Sequence, residues 1–101
     1  MQKKQFLDIT HWQKETFGAA TPLSKVAHLI EEVQELKTDL EENNPDVRLE
    51  YADCFLLLFG SAAANGMSYE DICKAIDEKM AINRKRKWGE PNADGVVNHV
   101  K

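Results

Sequence analysis

Apolar residues recur at spacings of three and four in four successive stretches of the chain, and each stretch ends in a helix-breaking cluster. Phe6, Ile9, Trp12 or Gln13, and Phe17 predict a first helix over 3–17, closed by Gly18-Ala19-Ala20. Thr21-Pro22 reads as an N-cap followed by proline at the first helical position. From there Val26, Leu29, Ile30, Val33, Leu36 and Leu40 mark one apolar face, up to Asn43-Asn44. Asn44-Pro45 repeats the cap signal and predicts a third helix over 45–64, ended by Asn65-Gly66. Ser68 and Asp71 have capping-box spacing and open a fourth helix reaching about Lys87. The tail over 88–101, with Gly89, Pro91 and Gly95, reads as irregular. The pattern predicts an all-α fold of four helices in one domain over 1–101.

The third helix is apolar almost all the way round from Tyr51 to Ala64, which predicts burial on every side, within the subunit or against another. Three partner helices in so small a subunit do not cover such a surface, so a homo-oligomer, dimer or tetramer, is expected. Gly60, Ser61 and Ala64 share a stripe with Leu57 and permit close helix approach.

At 101 residues and 43% hydrophobic, the chain has the material for one core without staples. The formal charge of −4 argues against a general nucleic-acid binder, so an anionic substrate needs a local device. Cys54 and Cys73 match no metal or redox spacing and read as buried free thiols. The Met-Gln-Lys-Lys-Gln start leads into no apolar run of signal length, and no stretch is long enough to cross a bilayer. A cytoplasmic protein with no membrane partner is expected.

The chemistry lies in the carboxylates. Glu31, Glu32 and Glu35 form E-E-x-x-E on the second helix, and Glu50 and Asp53 form E-x-x-D on the third. Residues three apart share a helix face, so each motif presents paired carboxylates, and antiparallel packing would bring the pairs together. Hard oxygen donors without sulfur or histidine suit Mg²⁺, with Mn²⁺ as a substitute. Acidic residues on an amphipathic helix are ordinarily a solvated face, and that reading suits the second helix taken alone. Asp53 changes the balance, because it lies in the apolar run from Tyr51 to Phe59, where a buried carboxylate needs a compensating charge.

On the fourth helix the core stripe of Ile72, Ala75 and Ile76 continues through Lys79, Asn83 and Arg86. Complementing a negative helix C-terminus accounts for Arg84, Lys85 and Lys87, and accounts poorly for Lys79 and Asn83. Opposed acidic and basic clusters are what a metal–triphosphate site needs.

These motifs resemble the all-α nucleoside triphosphate pyrophosphohydrolase superfamily, in which E-x-x-E and E-x-x-D lie on adjacent helices. Here they are Glu32-x-x-Glu35 and Glu50-x-x-Asp53, and Lys79-x-x-x-Asn83-x-x-Arg86 is similar to the K-x-x-x-N-x-x-R element of MazG-like proteins. The branch of dATP/dGTP diphosphohydrolase N-terminal domains is nearer still. It is resembled by Pro22-Leu23, His28-Leu29, Tyr51-Ala52-Asp53, Asn83-x-x-Arg86-Lys87-Trp88 and the terminal Gly95-Val96-Val97-Asn98-His99-Val100. The resemblance implies a four-helix MazG-like bundle that cleaves a nucleoside triphosphate, such as dATP, dGTP or dCTP, to the monophosphate and pyrophosphate. It implies metal ligation by Glu32, Glu35, Glu50 and Asp53, with Glu31 or Glu35 as the base. Phosphate contacts are implied for Lys79, Asn83 and Arg86. Base contacts fall by position on His11, Trp12 or Phe17 of the first helix, and on Trp88. His28 shares a stripe with Glu32, Glu35 and Asp39 and reads first as a helix-surface histidine, with orienting a carboxylate as the alternative.

Two other classes carry different expectations. A helical adaptor module with a solvated acidic face predicts no response to metal. A di-iron bundle needs a Glu-x-x-His pair, and the nearest spacing, Asp8 to His11, lies off the carboxylate helices.

Overall fold

The computed structural model describes residues 1–101, and four helices form in the expected order: α1 (Lys3–Thr16), α2 (Pro22–Glu41), α3 (Val47–Ala64) and α4 (Tyr69–Lys85). Two short strands follow, β1 (Lys87–Trp88) and β2 (His99–Val100). Contacts divide the chain into two units, Met1–Tyr69 and Glu70–Lys101.

In the first unit the helix ends are set by local hydrogen bonding. Thr21 Oγ1 accepts from Ser24 N–H, and Ser24 Oγ accepts from Thr21 N–H, a reciprocal cap with Pro22 behind it. At the far end of α2, Asn43 takes φ 55°, and Asn44 N–H reaches the Asp39 carbonyl at 2.9 Å. Gly66, at φ 90°, does the same for α3, where Met67 N–H reaches the Ala62 carbonyl at 3.0 Å. Both are Schellman endings, and both lie where the asparagine and glycine signals placed them. The third helix starts at Val47 rather than at Pro45, because Asn44 Oδ1 accepts from Asp46 N–H and holds this stretch as a turn.

α2 and α3 run antiparallel, with Ser61 Oγ donating to the Pro22 carbonyl at 2.8 Å where the end of α3 meets the start of α2. α1 packs on α3 through Phe6, whose ring meets Phe59 edge-on at 6.0 Å and Tyr69 at 5.7 Å. Phe6 is the one buried hydrophobic side chain, at 2% exposure. Of the alternatives at the centre of α1, Gln13 faces inward and Trp12 stays exposed.

The expected burial of α3 on every side is not met within the chain: Tyr51, Phe55 and Leu58, one stripe of it, are exposed. The small-residue stripe is filled from inside, since Gln13 lies against Gly60 and Ser61 bonds Pro22. The two thiols are free and only partly buried.

In the second unit the tail is more ordered than its glycine and proline content implied. Asn92 Oδ1 accepts from Asp94 and Val96 N–H, and Gly95 adopts φ 80°. That turn brings Lys87 opposite Val100 and Trp88 opposite His99 in an antiparallel pair. The Trp88 and His99 rings meet edge-on at 6.2 Å. No helix is long and apolar enough to cross a membrane.

Candidate metal centre

Helical spacing sets Glu32 and Glu35 one turn apart on α2, and the antiparallel turn through Pro45 brings Glu50, on the first turn of α3, against them. One carboxylate oxygen from each of the three lies within 4.8 Å of the other two. Glu50 is half-buried, and its Oε2 is shut away from solvent without a hydrogen-bond partner. An orphaned carboxylate oxygen beside two further carboxylates is a poor arrangement for a protein alone and a fitting one for a hard divalent cation.

The electrostatics agree. The hydrogen bond that its protonated form donates to the neighbouring Glu32 carboxylate, and then the charge of Glu32, hold the Glu35 carboxyl above its ordinary range. Glu50 is pushed up first by desolvation and then by Glu35, Asp39, Glu32 and Asp53. The Cys54 thiol is raised by burial and by the charges of Glu32, Glu50 and Asp53. Like charges held together without a counterion disfavour their own ionisation, and a cation reverses that.

Asp53 lies outside the convergent three, though close enough for its charge to act on Glu35 and Glu50. It is exposed rather than buried in its apolar run, because the Tyr51 and Phe55 flanking it are exposed as well. The desolvation argument for Asp53 therefore fails within one chain, and the argument from charge remains. Glu31 is exposed. His28 stands 3.3 Å from Glu32, the contact its stripe implied.

Asp39, outside both acidic motifs, joins the site. With Gln34, Glu35, Thr38 and Glu50 it lines an open groove of about 430 Å³. Its place at i+7 from Glu32 and i+4 from Glu35 was the available signal.

The remaining candidates fall elsewhere. Trp12 is 58% exposed and packs edge-on against Phe17 at 5.5 Å, and His11 is exposed beside it. Lys79 and Asn83 share one face of α4 in the second unit, and Arg86 follows one residue beyond the helix end. Lys79 is exposed, while Asn83 and Arg86 are half-buried. The Asn83 side-chain oxygen is buried without a partner, and its main-chain carbonyl accepts from Trp88 Nε1 at 3.0 Å. Trp88 thus braces the end of α4 in addition to pairing with His99.

Comparison with known proteins places this geometry. A solved cyanophage S-2L structure, a MazG-like pyrophosphohydrolase bound to dGDP and three catalytic Mn²⁺ ions per active site, superposes with TM-score 0.79 at 28% identity. The match covers 100% of this chain and 99% of that one. A cyanophage S-2L dATP/dGTP diphosphohydrolase is 34% identical over 79 residues, 78% of this chain and 69% of the relative. The Eaa protein of Salmonella phage P22 is 36% identical over 90 residues, and the match spans 27% of that longer protein. The family model for dATP/dGTP pyrophosphohydrolase matches residues 6–101. The chain belongs to the dATP/dGTP pyrophosphohydrolase family.

Proposed function

We propose that the chain hydrolyses a purine deoxynucleoside triphosphate, dATP or dGTP, to the monophosphate and pyrophosphate with Mg²⁺ or Mn²⁺ as cofactor. The observation that carries this reading is the convergence of Glu32, Glu35 and Glu50 oxygens within 4.8 Å, with Glu50 Oε2 lacking any protein partner. The family and the Mn²⁺ and dGDP held by the cyanophage protein support it.

Glu32, Glu35 and Glu50 would hold the cation, with Asp53 adding charge from the next turn of α3. When bound, the cation supplies Lewis-acid chemistry, polarising phosphate oxygens and making a nearby water more acidic. Glu35, or the exposed Glu31, takes the proton of the attacking water at a carboxylate oxygen. His28, 3.3 Å from Glu32, keeps that carboxylate oriented. Lys79 and Arg86 offer positive charge, and Asn83 an amide, to the two phosphates that leave together.

The same reading includes a homo-oligomer. Tyr51, Phe55 and Leu58 form an exposed stripe on α3, and a second copy would cover it.

A panel of ribo- and deoxynucleoside triphosphates with Mg²⁺, Mn²⁺ or a chelator tests the activity. Monophosphate release from dATP or dGTP that stops with chelator supports it. No turnover of any triphosphate with either metal contradicts it.

A further inference from the structure

A second cavity, of about 320 Å³, opens between α1, α2 and α3 at the opposite end of the α2–α3 pair from the carboxylates. Its walls include Gln13, Phe17, Lys25, Gly60, Ala63 and Ala64. The size is at the lower end of the usual range for small-ligand sites, about 300–1,000 Å³.

Two of these side chains are buried with unused hydrogen-bonding capacity. Lys25 is 9% exposed, and its ammonium lies 5.6 Å from the Phe17 ring centroid with no carboxylate in ion-pair distance. Gln13 is 6% exposed; its Nε2 donates to the Leu56 carbonyl at 2.8 Å, while its Oε1 is buried without a partner. The orphaned Gln13 oxygen costs stability, and the Lys25 ammonium keeps its donors free for a ligand that offers acceptors.

Position joins the cavity to the metal centre. Lys25 precedes Glu32 by seven residues, and Gly60 follows Asp53 by seven, so both lie on the carboxylate-bearing stripes of their helices. Seven residues of helix span about 10 Å. A sugar and its α-phosphate bridge a gap of that order.

We propose that this cavity holds the base of the nucleotide and that Lys25 makes it select guanine over adenine. The proposal rests on the reading of the chain as a deoxynucleotide hydrolase. Guanine presents two acceptors, O6 and N7, on one edge, whereas adenine sets an amino donor beside N7. The Lys25 ammonium, a donor only, matches the first edge and opposes the second. The Phe17 ring and the small residues Ala63 and Ala64 leave room for a flat base.

Calorimetric binding of dGMP, dIMP, 7-deaza-dGMP and dAMP to the 101-residue chain with Mn²⁺ tests the proposal. Because the ligands are products, the comparison holds whether or not the chain turns over a triphosphate. On the wild type, dGMP and dIMP are expected to bind about tenfold more tightly than dAMP, with 7-deaza-dGMP weaker than dGMP. Lys25→Met is expected to remove the preference by weakening dGMP and dIMP alone, and Lys25→Arg to keep it. Equal binding of the four ligands to the wild type would overturn the proposal without a variant. A Lys25→Met loss that is the same for dAMP would also overturn it, since that pattern marks a phosphate contact.

Discussion

Gln13 Nε2 donates to the Leu56 carbonyl at 2.8 Å, a bond from α1 into the interior of α3. It is possible because the next residue up that face is Gly60: a Cβ there would stand 2.6 Å from Gln13 Oε1. Gly60→Ala is therefore expected to destabilise the fold. The helix-propensity gain of about 1 kcal/mol is outweighed by overpacking of about 1–3 kcal/mol together with the loss of a buried hydrogen bond. Urea unfolding of the variant beside the wild type checks this; equal or greater stability would show that Gln13 moves aside freely.

The raised carboxyls give a pH dependence of known sign. Glu35, held up chiefly by Glu32, and Glu50, held up chiefly by desolvation, keep their protons to higher pH in the folded chain than in the unfolded one. The folded state then binds more protons, so metal-free stability falls as pH rises through the raised values. It is fully recovered once the pH is below the ordinary carboxylate range. Thermal melts with chelator should show a Tm that climbs on acidification from neutral pH, and saturating Mn²⁺ should reverse the slope. A metal-free Tm that falls over the same interval would contradict this account of the cluster.

Removing one negative charge should separate function from stability. Glu50→Gln and Asp53→Asn are each expected to weaken Mn²⁺ binding by tenfold or more, roughly the scale of one lost ligand or supporting group. Metal-free stability should stay equal or rise, as expected when a functional residue is strained. Parallel melts and metal titrations check both; a structural ion-pair partner would instead lose stability.

Replacing Arg86 or Lys79 by Ala is expected to lower kcat/KM about 100-fold, the usual scale for one charge partner of the transition state. Neither change removes a buried ion pair, so helicity by circular dichroism should not alter. Activity within about twofold of wild type would place the phosphate contacts on other residues.

Charge on the exposed stripe of α3 should block self-association. Sedimentation of the wild type is expected to give a dimer or larger, and Phe55→Asp to shift it toward the monomer. A wild type that sediments as a stable folded monomer at micromolar concentration would remove the oligomer from the account.

Much of this architecture was readable because its signals are local. Thr21-Pro22, Asn43-Asn44 and Asn65-Gly66 act within one turn of themselves, and the helices begin and end beside them. The triad was readable for the same reason, since E-x-x-E spacing fixes a face and a short antiparallel connection fixes the partner. What depends on distant packing was not readable. The sequence offers nothing to show that Gln13 rather than Trp12 turns inward, because that choice depends on Gly60, far along the chain. Asp53 misled for a related reason: an apolar run implies burial only if something covers it, and no part of this chain covers Tyr51 and Phe55. The tail pairing has no periodic signal because it rests on the side chain of Asn92.

The central claim is that two phosphates leave together, and the products report it directly. A ³¹P NMR time course of dGTP with the chain and Mn²⁺ is expected to show dGMP and intact pyrophosphate growing in step from the first points. Accumulation of dGDP with free phosphate at those points would contradict the claim, since it means that the terminal phosphate is cleaved alone.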